Sequence, residues 1–201
     1  MKRFALAGIA LLLSGCATSA FDTTPPYYDR NQHALIGAGY PVERIDMPRG
    51  FEFADIYSAE RSESHDSPDD SGSANVTEAG VSWVNRSGDT AIATAMHQGV
   101  GGRSHWLPWE ESDGYEFVGN ARVQYGFYTG PYREVTGDAA SVPSNAPECA
   151  ASSHLLMHTP DRRKRTVYTY TEGVDCDDIA SLGERYAQDQ RQRAYRAYGD
   201  R

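Results

Sequence analysis

Trp106, Trp109, Glu110, Glu111, Asp113 and Tyr115 crowd into ten residues of the chain. Indole and phenol faces stack on sugar rings, and carboxylates bond sugar hydroxyls, so Trp106, Trp109, Glu110 and Tyr115 form a candidate glycan-binding group. The competing reading packs both tryptophans over one end of a sheet and turns the acids to water. His97 and His105 flank a glycine cluster, Gln98-Gly99-Val100-Gly101-Gly102-Arg103-Ser104, and clustered with Glu110 they would suit an acid–base site of an unrecognised envelope hydrolase, a less favoured alternative. No neighbouring Cys or H-E-x-x-H supports a metal there, and solvated loop histidines are the expectation. His154 and His158 have helical ligand spacing but fall in an expected strand, where four steps separate them by ~13 Å. Two ligands each ~2 Å from one zinc cannot lie so far apart. The glycine cluster lacks the Lys-Ser/Thr of a phosphate loop, and there is no G-x-S-x-G elbow. Asp66, Asp69, Asp70 and Gly72 do not keep the alternation of a calcium loop. No catalytic residue, metal or other cofactor is assigned.

The elements that would hold these groups are short. The chain has 201 residues with 19 Gly, 10 Pro and 13 Tyr, a composition of strands broken by turns. Strands are expected near 51–57, 80–85, 90–96, 115–118, 121–128, 132–136, 152–159 and 165–172. Residues 59–75, with almost nothing to bury, read as a mobile acidic loop. Asp177 and Asp178 precede Ile179, Leu182 and Tyr186 at helical spacing, which predicts a helix from about 178 to 198 whose second half, lacking a clean apolar stripe, projects or frays. The expected class is α+β: a small, loop-rich antiparallel sheet with a C-terminal helix packed on it.

The first fifteen residues differ from all the rest. Lys2 and Arg3 precede ten apolar residues, Phe4 to Leu13, and then Ser14-Gly15. A basic start, a short apolar run and small residues before the cut define a secretory signal, and the run is well short of the ~20 residues of a membrane-spanning helix. Without this leader the chain carries 17 basic against 28 acidic residues, a net of −11. So acidic a chain is not a general nucleic-acid binder, and its overall charge repels anionic lipid. Arg162-Arg163-Lys164-Arg165 is its one dense basic cluster, suited to phosphate headgroups or an acidic partner, or simply to a solvated turn.

Leu13-Ser14-Gly15-Cys16 resembles the lipobox of bacterial lipoproteins. The resemblance covers only these sixteen residues. It implies that residues 1–15 are removed, that Cys16 becomes the first residue, and that Cys16 carries covalent diacylglycerol and N-acyl lipid. Ala17 stands where an aspartate would favour the inner membrane, which implies the outer membrane, on its periplasmic side. Several acyl chains anchor firmly where one would not. The lipid bilayer is then the first partner, with another envelope protein or peptidoglycan as a further one. Residues 16–34 read as the lipidated tether and 35–201 as a single periplasmic domain.

With Cys16 acylated, Cys149 and Cys176 are an even remainder in an oxidising compartment, which suggests one disulfide. There is no C-x-x-C to suggest a redox or metal pair. A hairpin turning at Pro160–Lys164 and centred between 162 and 163 would place Cys149 opposite Cys176, Leu155 opposite Tyr170 and Met157 opposite Tyr168, with one face clearly more apolar.

Overall fold

A computed structural model describes residues 25–67, 70–85, 91–101, 104–118, 120–136 and 147–199. The leader and residues 16–24 of the expected tether, Cys16 among them, lie outside the described residues. A three-stranded antiparallel sheet opens the fold: β1 (Tyr27–Asp29), β2 (Ala34–Ile36) and β3 (Arg44–Asp46). A second, seven-stranded sheet comprises β4 (Glu52–Ser67), β5 (Asp70–Asn85), β6 (Ala91–Val100), β7 (Gly114–Val118), β8 (Ala121–Pro131), β9 (Cys149–His158) and β10 (Lys164–Val174). Its order is β4-β5-β6-β10-β9-β8-β7, antiparallel throughout. The helices are α1 (Tyr132–Thr136), a 3-10 helix (Cys176–Ser181) and α2 (Glu184–Gly199). The molecule is therefore sheet-dominated, with a C-terminal helix packed on the sheet.

Side chains alternate across a strand, so the large sheet has two faces. One face carries Val81, Trp83, Ala93, Ala95, Leu155, Met157, Tyr168 and Tyr170; the small sheet covers it with Leu35 and Ile45, and α2 with Ala194. This is the main core, and Trp83 sits fully buried within it. The other face carries Val84, Ile92 and Ala150 under Tyr132 and Val135 of α1.

Four expectations are corrected. Residues 27–34, read as tether, already belong to the fold as β1 and the start of β2, strands too short for a sequence pattern to reveal. The stretch 59–75 is not a loop, for β4 and β5 pair without interruption from Asp55↔Ser82 to Ser67↔Asp70. Beyond Val76↔Val100 this ribbon pairs with no third strand among the described residues; backbone hydrogen bonds extend a hairpin whose base is already fixed, with no apolar pattern needed. Residues 132–136 are helical: the two residues buried there, Tyr132 and Val135, are three apart, a helical interval rather than a strand's.

The fourth concerns the C-terminal helix. It breaks near Leu182 and Gly183 into the 3-10 turn, capped by the Asp175 carboxylate accepting from Asp177 N–H, and α2 proper. The second half does not fray. Gln190 and Ala194 are fully buried and Tyr198 packs beside them, a stripe at four-residue spacing disguised by a polar member. Gln190 donates to the Ala151 carbonyl at 2.6 Å and accepts from Ser153 Oγ at 2.8 Å. Arg193 clamps Glu172 of β10 with two bonds of 2.8 and 2.7 Å, and Tyr170 donates to the same carboxylate at 2.9 Å. Removing the guanidinium leaves a largely buried carboxylate short of its charged partner. We expect Arg193→Ala to cost about 1–3 kcal/mol, read as a lower urea midpoint, with Arg193→Lys recovering part of it. An unchanged midpoint for Arg193→Ala would mean that the clamp does not hold the helix.

Candidate functional site

Residues 104–113 form a strap across the α1-covered face of the sheet. Trp106 N–H donates to the Arg162 carbonyl at 2.8 Å, and Asp113 N–H to the Tyr125 carbonyl at 2.9 Å. Midway, the Gln124 side chain accepts from Trp109 N–H at 3.4 Å and donates to Trp109 C=O at 3.2 Å. The Asp113 carboxylate accepts from Phe127 N–H at 2.7 Å.

The strap puts both tryptophans to work in packing. Trp106 lies over the Arg165 guanidinium, 3.6 Å from its ring centre. Arg165 Nε donates to Gln98 at 2.6 Å, and Gln98 donates to the buried Glu78 carboxylate at 2.8 Å. Glu78, Gln98 and Arg165 occupy one register line across β5, β6 and β10. Trp109 stacks on Tyr128 with ring centres 6.1 Å apart and covers Gly126, where a Cβ would come within 2.6 Å of the indole. Only glycine admits that approach. Tyr128 packs edge-on to His154 at 4.9 Å, and burial holds His154 down to about 4. Glu110 is exposed. Tyr115 projects from β7, 55% exposed, with the Arg122 guanidinium 4.1 Å over its ring and Phe117 edge-on at 6.1 Å.

His97 is not a solvated loop histidine. It lies in β6, fully buried on the opposite face from Gln98 and the strap. Its Nδ1 meets Thr166 Oγ1 at 3.0 Å, the Tyr40 ring stacks at 4.6 Å, and Gly37 passes so close that a Cβ there would be 2.6 Å from the imidazole. Burial, helped by the Lys164 charge, holds His97 down to about 3. Lys164 itself donates to the Ala38 carbonyl at 2.7 Å. His105 is exposed on the strap. The sheet thus stands between His97 and Glu110, and the acid–base set does not assemble. Among the described residues no three His, Cys, Asp or Glu side chains are grouped to hold a metal ion. His154 and His158 share one face of β9, and His158 is likewise held down to about 4, by burial and then by the charges of Arg165 and Arg162.

Cys149 and Cys176 form a disulfide, with Cα atoms 5.2 Å apart. The hairpin register beneath it differs from expectation by two residues: Leu155 pairs with Tyr168, Met157 with Thr166, and Cys149 with Val174. The cause is a tighter turn. Thr159 N–H bonds the Lys164 carbonyl at 2.9 Å, and Arg162 takes a left-handed conformation with φ 55°, moving the centre of the turn back by one residue. A shift of two keeps every side chain on its face, so the apolar pattern survives. Cys176 reaches its partner from the 3-10 turn that follows β10. The basic cluster at this turn is split, with Lys164 reaching to the small sheet and Arg165 to the strap.

The polar groups that sequence reading missed are Glu78, Gln98 and Gln190, each buried where an apolar residue would be expected. Nothing in a single sequence marks them, because their partners are distant in the chain. Compared with protein-family models, curated proteins and solved structures, the chain finds no match.

Proposed function

We propose that the protein is a bacterial lipoprotein, held by acylated Cys16 in the outer membrane and facing the periplasm, where it acts by non-covalent interaction in the cell envelope. The observation that carries this reading is Leu13-Ser14-Gly15-Cys16 directly after a basic start and a ten-residue apolar run. A disulfide in the folded domain agrees with an oxidising compartment. The lipid is an anchor, not a cofactor. No helix among the described residues is long and apolar enough to cross a membrane, and the anchor does not require one.

A glycan- or peptidoglycan-binding role using Trp106, Trp109, Glu110 and Tyr115 is the second reading. It has weaker support, because Arg165 covers Trp106 and Tyr128 with Gly126 covers Trp109, so the rings a sugar would stack on are already engaged. Labelled palmitate fed to producing cells should enter the chain and be lost in Cys16→Ser. Equal labelling of both forms would refute the anchor.

A further inference from the structure

The strap-covered face of the sheet is unlike the rest of the described surface. Five large apolar side chains among the described residues are strongly exposed, and three belong to this face: Leu107 at 70%, Phe117 at 68% and Tyr115 at 55%. Such clustering of apolar surface marks a contact site rather than ordinary scatter. Charge of both signs is exposed on this face: Glu110, Glu111 and Asp113 on the strap, and two arginines nearer Phe117. Arg122 and Arg162 are exposed and have no carboxylate partner among the described residues; Arg122 lies flat over Tyr115, and Arg162 stands at the end of the same face, its charge felt by His158.

From this we infer that the Leu107, Tyr115 and Phe117 patch, flanked by Arg122 and Arg162, docks on the lipid bilayer, the apolar side chains entering the headgroup boundary and the arginines meeting lipid phosphates. The inference rests on the anchor reading, since tethering to a membrane turns a weak surface contact into an intramolecular one. Two observations favour a bilayer over a glycan. Leucine and phenylalanine offer a sugar no hydrogen bond, whereas both suit an interfacial apolar layer. The guanidinium groups match phosphate oxygens, which they bind as a fork.

The length of chain permits the contact. Pro25 and Pro26 sit in a groove beside Ala59 of β4 and Glu78 of β5, so the chain enters at the far edge of the sheet. From β4 to β7 is six strand spacings, ~29 Å. The nine steps from Cys16 to Pro25 can span up to ~30 Å. The anchor can therefore lie beneath either edge while β7 touches the same membrane.

The test uses the three native cysteines being occupied, one by lipid and two by the disulfide. Phe117→Cys and, as control, Tyr27→Cys each supply a single thiol for an environment-sensitive fluorophore; Tyr27 is half exposed and lies on β1, whose Tyr28 stacks on Phe53 of β4. The full lipidated chain is reconstituted into phosphatidylethanolamine/phosphatidylglycerol vesicles and quenched with iodide. The expected result is a blue shift and loss of quenching at 117, with full quenching at 27. Arg122→Glu with Arg162→Glu should restore quenching at 117 while the chain still floats with the vesicles. Equal quenching at both positions on floating vesicles overturns the docking patch alone. Failure of the chain to float overturns the anchor reading beneath it. Protection at 117 that appears only on adding purified peptidoglycan overturns the bilayer as occupant in favour of a glycan.

Discussion

Moving the protein from pH 7 to pH 5 will lower its urea midpoint, well before ordinary carboxylates begin to protonate. His97, His154 and His158 are held down to about 3, 4 and 4, chiefly by burial. In the unfolded chain each titrates near 6.5. Between those values the unfolded state binds protons that the folded state refuses, so stability is full above about pH 6.5 and falls as pH drops toward 4 and below. Each such group costs about 1.4 kcal/mol per pH unit inside its window. His97, fully buried, contributes about 2 kcal/mol of loss by pH 5, and the other two add in the same direction. Asp29, held low by the Gln32 backbone N–H, and Asp161, held low by the Thr159 hydroxyl, act only at still lower pH. His97→Gln should flatten the slope by about one proton. Identical midpoints at pH 7 and 5 would show that these imidazoles are not buried as described.

The second large effect belongs to the disulfide. Cys149→Ser combined with Cys176→Ser opens a loop with a separation of 27 residues, and chain-entropy reasoning puts the loss at about 3 kcal/mol. For a domain of this size that corresponds to a melting temperature lower by roughly 6–12 °C. The bridge joins the start of β9 to the turn leading into α2, so its loss also loosens the approach to the Arg193–Glu172 clamp. Thermal melts of the full chain with and without reductant should give the same difference as the double variant. A melting temperature indifferent to both would contradict a structural role.

What the sequence revealed and what it hid follow one rule. Short-range patterns were legible: the last part of β5 and the strands from β6 to β10 lie where turn residues bracket apolar runs, and the even cysteine remainder pairs. Features that depend on distant partners were not. Gln190 looks like a surface residue until Ser153 and Ala151 are placed against it, and Glu78 until Gln98 is. His97 looked like part of a glycine loop because Gly99 and Gly101 follow it, yet β6 continues to Val100. The sequence signal for the candidate site is aromatic density at Trp106 and Trp109. Composition finds such density but cannot say which ring faces remain open; here the exposed rings are Tyr115 and Phe117.

Anchoring and envelope location both depend on the lipid on Cys16, and the intact mass of the chain extracted from membranes reads that lipid out. The expected chain begins at Cys16, lacks residues 1–15 and carries the added mass of a diacylglyceryl group and an N-linked acyl chain. A chain that retains its first fifteen residues, or one that begins elsewhere with no acyl mass, would contradict it.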